Sequence, residues 1–410
     1  MRVIHILTLL TTTVLSACVG GSGTTAATNN TVPATPNTLT VTVDSGPAAA
    51  TGAINHAYVT VKVCTAGNKT QCASIDHVLL DTGSWGLRLV GSVLKASGVA
   101  LSGETDAQGL AIQECVTFGG GQTWGPVVFA DVSLAGESAA KLPVQVMDDA
   151  GTSAPPPATC GAGGTLINGV SGFNANGVLG VGVFAQDCGA ACVNAAAPLP
   201  IYYGCTAAGV CTAENAALSA QVTNPVAMFA ADNNGIIVSL PNLVNANGDA
   251  SVQGELVFGI ATQSDNALPA AGLTVLGANA SGDFTATYNG GATALPALID
   301  SGTDAYAFND PAIAVCATGA FIGYYCPAVA PQAAFAINSG VGVNNATNTV
   351  DFAIADPNSF VANAAAFIDL AGGGGSTTFI WGMPFFYGHK IYIGIDQRIA
   401  ATYTGPYYAY

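Results

Sequence analysis

Two short segments of this 410-residue chain carry one pattern, an apolar run followed by Asp-[Thr/Ser]-Gly-[Ser/Thr]. They are Val78-Leu79-Leu80-Asp81-Thr82-Gly83-Ser84 and Ala297-Leu298-Ile299-Asp300-Ser301-Gly302-Thr303. The apolar residues predict a buried strand end, the glycine allows a tight turn, and the hydroxyls can donate hydrogen bonds to the aspartate. Two copies about half a chain apart predict two facing turns that hold Asp81 and Asp300 within hydrogen-bonding distance.

Two carboxyl groups so close can carry out acid and base chemistry together. Like charges at that distance cannot both form, so one carboxyl keeps its proton as a general acid while the ionised partner is the general base. This is chemistry for adding water to an amide. No His-Glu-x-x-His pair and no Gly-x-Ser-x-Gly turn occurs, which argues against a metalloprotease or a serine hydrolase. We expect no metal and no cofactor.

Composition predicts a folded, loop-rich protein that does not bind nucleic acid. The chain is 50% hydrophobic, with glycine and proline throughout, and it has the length of two ordinary domains. With 24 acidic and 8 basic side chains the net charge is -16, and no Lys or Arg cluster is present to neutralise phosphates. Short runs of Val, Thr, Phe and Tyr alternate with Gly, Asn, Asp and Ser, which predicts strands and few, short helices.

The N-terminus is typical of an export signal followed by a tether. Residues 1–17 start with Arg2 and continue with an apolar core, and Leu15-Ser16-Ala17-Cys18 resembles the bacterial lipobox. We therefore expect an exported bacterial lipoprotein of the cell envelope (outer membrane, periplasm or cell surface), held to the membrane by lipid on Cys18. The alternative is an ordinary cleaved signal with a chance cysteine. Residues 18–50, rich in Thr, Ala, Asn, Gly and Pro, predict a flexible tether.

The ten cysteines after Cys18 are an even number in an exported chain, so five disulfides are expected. Close spacing favours Cys64 with Cys72, Cys188 with Cys192, Cys205 with Cys211 and Cys316 with Cys326, which leaves Cys115 for Cys160. This connectivity is one of many that the sequence allows. A four-thiolate zinc site within 188–211 is the alternative, although no CxxC pair supports it.

In order along the chain, these motifs resemble the pepsin-like bilobal aspartic proteases, in a branch of uncharacterised bacterial lipoproteins. Each acid turn is followed by an apolar-apolar-Gly strand, Val178-Leu179-Gly180 in the first half and Ile380-Trp381-Gly382 in the second. The resemblance implies an all-β fold of two pseudo-symmetric, β-barrel-like lobes with few short helices. The lobes would span 51–228, with the Asp81 turn, and 229–410, with the Asp300 turn.

The resemblance also implies a role for each matching residue. Asp81 and Asp300 would be the catalytic pair, supported by the other turn residues: Thr82, Gly83, Ser84, Ser301, Gly302 and Thr303. The Gly-rich hairpin 114–125 resembles the family's active-site flap, with Phe118, Gly119 and Trp124 against the substrate. Phe118 stands where the family usually has tyrosine, so it can exclude water but cannot hydrogen-bond.

Two functions follow as hypotheses. The first is a membrane-tethered, monomeric aspartic endopeptidase that hydrolyses peptide bonds in a peptide or protein substrate. The second is the same fold without activity, acting as a binding or assembly module of the envelope; the altered flap favours it, and the two intact acid turns oppose it.

Overall fold

The computed structural model describes residues 37–410, apart from 246, 270 and 374–376. The predicted signal peptide, the lipidation site Cys18 and the first part of the predicted tether lie outside the described residues. The part of the chain that is described belongs to one compact unit. The boundary between lobes at 228 and 229 stays a prediction.

Strands dominate the described chain, and its helices are short. The strands are β1 Thr38–Val43, β2 Ala57–Thr65, β3 Cys72–Asp81, β4 Trp85–Val90, β5 Ser102–Gly103, β6 Ala111–Phe118, β7 Gly121–Leu134, β8 Glu137–Met147, β9 Gly177–Val181, β10 Tyr202–Cys205, β11 Cys211–Ala213, β12 Gly235–Ser239, β13 Val252–Phe258, β14 Val275–Gly277, β15 Phe284–Tyr288, β16 Leu295–Ile299, β17 Tyr306–Ala307, β18 Gln332–Ser339, β19 Thr347–Ile354, β20 Ala371–Gly372, β21 Phe379–Trp381, β22 Lys390–Gly394, β23 Ile399–Ala400, β24 Tyr403–Thr404 and β25 Tyr407–Ala409. The α-helices are α1 Gly91–Ser97 and α2 Val170–Phe173. Single 3-10 turns occur at Cys160–Gly163, Gly189–Cys192, Leu218–Ala220, Pro225–Met228, Pro357–Ser359 and Met383–Phe386.

The first half of the chain closes a barrel. Strands β7, β8, β4, β9, β3 and β2 pair in that order, and a further pairing of β2 with β7 completes the ring. Alternation explains the buried interior: Val59, Val61 and Val63 of β2 are buried, whereas Thr60 and Lys62 between them are exposed. The long strand β7 extends beyond the barrel, where its first residues pair with β6 to form a hairpin.

The second half forms a seven-stranded sheet in the order β19, β18, β15, β16, β21, β17 and β20. Its buried face is aromatic: Phe308 stacks on Phe379 with centroids 5.3 Å apart, and Trp381 packs on Phe379 at 4.9 Å. Most described residues in regular structure are therefore in two barrel-like sheets, and the predicted all-β class with few short helices is confirmed.

The two halves repeat one three-strand unit around the acid turns. In the first, β3 runs parallel to β9, with Leu80 opposite Leu179, and the strand after the turn, β4, pairs antiparallel with β9. In the second, β16 runs parallel to β21, with Leu298 opposite Ile380, and β17 pairs antiparallel with β21. The later apolar-apolar-Gly segments are therefore the strands that flank the acid turns.

Part of the predicted tether is folded instead. Within 18–50, Thr38–Val43 forms β1, which pairs with β2 on one side and with β13 on the other. Val41 and Val43 are fully buried in the core. The tether prediction is thus wrong for this stretch, because alternating Thr and Val residues satisfy a sheet despite their tether-like neighbours.

All five predicted disulfides are present. They join Cys64 to Cys72, Cys115 to Cys160, Cys188 to Cys192, Cys205 to Cys211 and Cys316 to Cys326. The thiols of the alternative zinc site at 188–211 are thus engaged in two of the bridges. Five disulfides indicate an oxidising, extracytoplasmic environment. Within the described chain, no helix has the length and apolar character needed to cross a membrane.

Candidate active site

The first acid turn follows the buried end of β3. Asp81 is 6% exposed. Its Oδ1 accepts a hydrogen bond from the backbone N–H of Gly83 at 2.8 Å, and its Oδ2 accepts one from the hydroxyl of Ser84 at 2.5 Å. Both oxygens of the carboxyl group are therefore fixed by residues of its own turn, as the motif predicts.

The second turn repeats this geometry atom for atom. The backbone N–H of Gly302 donates to Asp300 Oδ1 at 2.8 Å, and the hydroxyl of Thr303 donates to Asp300 Oδ2 at 2.6 Å. The backbone N–H of Asp300 itself donates to the carbonyl of Trp381 at 2.9 Å, which ties the turn to β21. The two carboxyl groups thus have the same kinds of partner.

The turns are joined by buried hydroxyl groups. Thr82 Oγ1 donates to the carbonyl of Ile299 at 2.9 Å, and Ser301 Oγ donates to the carbonyl of Leu80 at 2.6 Å. Each hydroxyl also accepts the other residue's backbone N–H, at 2.9 Å for Thr82 Oγ1 and 3.2 Å for Ser301 Oγ. Four hydrogen bonds across the two halves therefore fix the turns relative to one another.

The carboxyl groups of Asp81 and Asp300 are in hydrogen-bonding contact. Glycine is required beside them, because a Cβ on Gly83 would lie 2.5 Å from Asp300 Cγ and one on Gly302 would lie 2.7 Å from Asp81 Oδ1. The two glycines thus let each turn pack directly against the opposite carboxyl group.

The environment of the pair favours a bound proton. Burial, followed by the charge of Asp300, raises the pKa of Asp81 to about 8, although hydrogen bonds from Ser84 and Gly83 act in the opposite direction. In a pair this close the proton belongs to both groups. At acidic and neutral pH the site therefore offers one acid and one base on the same face.

A cavity of about 740 Å³ opens above the pair. Its lining is largely apolar and includes Trp85, Val116, Leu199 and Ile201, and Phe118 and Gly119 come from the hairpin of β6 and β7. An apolar cavity with a few convergent polar groups is typical of a ligand site.

Phe118 and Trp124, both predicted to face substrate, have different positions. Phe118 is half-buried at the cavity and packs edge to face on Phe173 of α2, with centroids 5.1 Å apart. Trp124 is 2% exposed, donates its indole N–H to the carbonyl of Ala154 at 2.6 Å and packs on Tyr203 behind the hairpin. The prediction that Trp124 lines the cleft is wrong, because that part of β7 turns the side chain away from the cavity.

Two groups of charged residues near the pair were not predicted from the sequence. Arg88, in the otherwise apolar strand β4, lines the cavity together with Asp187. Asp304 follows the second turn and accepts a hydrogen bond from the hydroxyl of Tyr324; burial raises the pKa of Asp304, and the charge of Asp300 adds to this. The sequence signals for these residues are weak: Arg88 is a charged residue in an otherwise apolar strand, and Asp304 follows a turn with two hydroxyl side chains.

The described residues offer no plausible metal centre. The only grouping of possible ligand atoms among them consists of Cys316, Cys326 and Asp356, and its two cysteines form a disulfide.

The fold and the turn geometry define the class of pepsin-like aspartic proteinase folds. The crystal structure of aspartic proteinase from Irpex lacteus aligns with a TM-score of 0.51 at 15% identity, covering 91% of this chain and 96% of that chain. At this identity the likeness shows the fold alone.

The family of the chain follows from its sequence. Residues 33–410 match the family model described as "Protein of unknown function (DUF3443)", so the chain belongs to that family. The search of curated proteins found no match.

Proposed function

We propose that the protein is an aspartic-type endopeptidase in which Asp81 and Asp300 together activate water. The contact between these two buried carboxyl groups, each fixed by its own turn at the base of an apolar cavity, carries the proposal. The raised pKa of Asp81 supports it, because general acid catalysis needs a carboxyl group that is still protonated at working pH.

In this mechanism the pair holds one proton at the start of the reaction and again at its end. The ionised carboxyl takes a proton from water as the water oxygen bonds to the carbonyl carbon, and the protonated carboxyl gives its proton to the carbonyl oxygen. The carboxyl group that took the water proton then gives it to the amine nitrogen as the C–N bond breaks, and the other carboxylate takes a proton from a hydroxyl of the intermediate as the new carboxylic acid forms. Ser84 and Thr303 hold the outer oxygens during both steps, so little reorganisation is needed.

The same proposal includes export and a membrane tether. Residues 1–17 would be the signal peptide and Cys18 the lipidated first residue of a cell-envelope protein, as its lipobox-like sequence and five disulfides support. The substrate would be a peptide or protein that enters the cavity beneath Phe118.

One observation favours a second function, a binding or assembly module without activity. The ring of Phe118 carries no hydroxyl, so the flap offers no hydrogen bond from this side chain to a substrate. The same cavity would then bind an extended peptide without cleaving it.

Digestion of a denatured protein mixture separates the two functions. The full-length protein in detergent is incubated with the mixture from pH 3 to 8, beside Asp81→Asn and the matched surface variant Asp76→Asn, and new N-termini are identified by mass spectrometry. We expect the wild type and Asp76→Asn to cleave. The cleavage rate of Asp81→Asn should be lower by at least about 10³-fold, the scale of removing a catalytic group. Cleavage that persists in Asp81→Asn, or none by the folded protein at any pH, contradicts the endopeptidase proposal.

A further inference from the structure

A second carboxyl pair, Glu114 and Asp187, is bridged by the buried Arg88, which lines the same cavity together with Asp187. Arg88 Nη2 donates to Glu114 Oε1 at 2.7 Å and to Asp187 Oδ2 at 2.9 Å. Arg88 is 1% exposed and Glu114 is fully buried. The hydroxyl of Tyr202 donates to Asp187 Oδ1 at 2.6 Å and accepts the backbone N–H of Val222 at 2.8 Å.

The cluster balances its charge only if it holds one proton. The carboxyl groups of Glu114 and Asp187 share the single guanidinium of Arg88, so ionisation of both leaves one unbalanced negative charge in the buried site. Both oxygens of Asp187 already accept hydrogen bonds, whereas Glu114 Oε2 is buried and has no hydrogen-bond partner among the described residues. A proton on Glu114 leaves one guanidinium opposite one carboxylate, and the buried cluster is then neutral.

The cluster joins the flap to the strand behind the catalytic turn. Glu114 lies on β6, four residues before Phe118, and the guanidinium carbon of Arg88 is 5.7 Å from the centre of the Phe118 ring. Arg88 also donates from Nη1 to the carbonyl of Trp85 at 2.8 Å, at the start of β4. One side chain therefore contacts the base of the flap, the aromatic ring near its tip and the residue that follows Ser84.

We propose that Arg88 and Glu114 are positioning residues that hold the flap hairpin over the dyad, the pair of Asp81 and Asp300. Glu114 does so only as the neutral acid. The catalytic consequence of this role rests on the proposed function. The structural role, fixing the position of the hairpin, does not. When Glu114 ionises, two carboxylates face one guanidinium in a buried site, and their repulsion separates β6 from Asp187. Loss of the proton thus opens the flap.

The surroundings of Glu114 agree with this assignment. Burial raises the pKa of Glu114 well above its usual value, and the charge of Asp187 adds to the rise, while Arg88 opposes it. The titratable groups that face Glu114 are Arg88 from β4, Asp187 from the segment after β9, and Tyr202 from β10. From β8 the neutral amide of Gln145 donates to the backbone carbonyl of Glu114 at 2.9 Å.

Amide hydrogen exchange of β6 tests the hold without relying on activity. In the full-length protein, exchange of the 111–118 segment is followed from pH 5 to 9 and corrected for the intrinsic rate of a free peptide. We expect protection to fall by up to about tenfold per pH unit above the Glu114 pKa, since opening is coupled to loss of one proton. Protection that stays constant over this range overturns the proposal.

Three variants make the test specific. Glu114→Gln keeps the shape, donates an amide hydrogen to Asp187 and cannot ionise, so its β6 protection should stay constant with pH. Asp187→Asn breaks the carboxyl pair from the other side and should give the same result, which covers the case in which one variant fails to fold. Glu255→Gln, the same change at an exposed site of β13, should follow the wild type.

Peptide cleavage measured beside the exchange separates the two proposals. If the endopeptidase proposal holds, KM should rise with pH in the wild type and remain flat in Glu114→Gln, while kcat is less affected. If β6 exchange depends on pH in the wild type and not in Glu114→Gln, but no peptide is cleaved, only the endopeptidase proposal is contradicted. Cleavage with wild-type pH dependence of exchange in Glu114→Gln contradicts the positioning role alone.

Discussion

At the scale of single residues, Gly83 and Gly302 set how closely the carboxyl groups of Asp81 and Asp300 can approach. Neither glycine has a positive φ, so the requirement comes from space. A methyl group on Gly83 would meet Asp300 Cγ at 2.5 Å and would push the second turn away from the first. The glycines of the motif therefore set the distance between the two carboxyl groups as well as the shape of each turn.

Gly83→Ala should separate the pair without unfolding the protein. A displacement on the order of 1 Å costs about 10²-fold in kcat/KM, because the shared proton then has no direct path between the carboxyl groups. The measurement is peptide hydrolysis beside urea unfolding. Gly103→Ala, in open space on β5, is the control and should change neither quantity; an equal loss of activity in both variants would refute the spatial argument.

The proton on Asp81 also predicts how stability changes with pH. Its pKa is about 8 in the folded protein and about 3.9 in an unfolded chain, so the folded state binds more protons between these values. The contribution of Asp81 to the free energy of unfolding is therefore fully present below about pH 4 and is lost as the pH rises towards 8.

Thermal unfolding of the wild type and of Asp81→Asn from pH 4 to 8 measures this contribution. The difference in Tm between them should change steadily across the range, with the wild type losing more stability as pH rises. Asp76→Asn, at an exposed position, serves as the reference for a neutral amide. Parallel Tm curves for Asp81→Asn and the wild type would show that Asp81 binds no extra proton in the folded state.

At the scale of elements, the hairpin of β6 and β7 places a buried face and a cavity face within a few residues. Phe118 contacts Phe173 and Arg88 at the cavity, whereas Trp124 packs against Tyr203 on the other side. The sequence identified the hairpin from its glycines. The sequence could not show whether Trp124 faces the cavity or the core. Both faces of this hairpin carry large apolar residues, and alternation alone does not say which face is buried.

Phe118→Ala should impair catalysis, and Trp124→Phe should impair only stability. Burying a whole Phe side chain is worth about 1.5–3 kcal/mol, so covering the exposed half of the Phe118 ring with substrate is worth about half of this. Its loss in Phe118→Ala corresponds to a roughly 4- to 12-fold lower kcat/KM. Trp124→Phe loses one buried hydrogen bond and should cost about 1 kcal/mol of stability. Similar kcat/KM values for the two variants would place Trp124 back at the cleft.

The parts of the site that sequence could predict are those encoded by neighbouring residues. The acid turns, their glycines and their hydroxyls lie within four consecutive positions, so the local chemistry was readable. The charged cluster was not, because Arg88 meets Glu114 and Asp187 from 26 and 99 positions away. Such partners depend on how the barrel closes, which no local pattern specifies.

At the scale of the whole molecule, β1 joins the two halves of the chain into one sheet. It pairs with β2 of the first barrel through Thr42 and Val43, and with β13 along its whole length from Thr38 to Val43. The large sheet therefore runs without interruption from the strands behind Asp81 to β12 and β22 in the second half. The dyad is built from both halves, so this connection also supports the contact between its two acids.

Substitutions in β1 should therefore weaken the whole described unit. Val41 and Val43 are fully buried, and truncating each to alanine removes two methyl groups and leaves a cavity, at about 2 kcal/mol per site. Urea unfolding of the Val41→Ala and Val43→Ala variants should show one cooperative transition at lower urea, with peptide hydrolysis lost in the same transition. Thr40→Ala, on the exposed face of the same strand, should stay within about 0.5 kcal/mol of the wild type. If the valine variants instead behaved like Thr40→Ala, β1 would be dispensable for stability, and the contact between Asp81 and Asp300 would depend on the cross-turn hydroxyl groups alone.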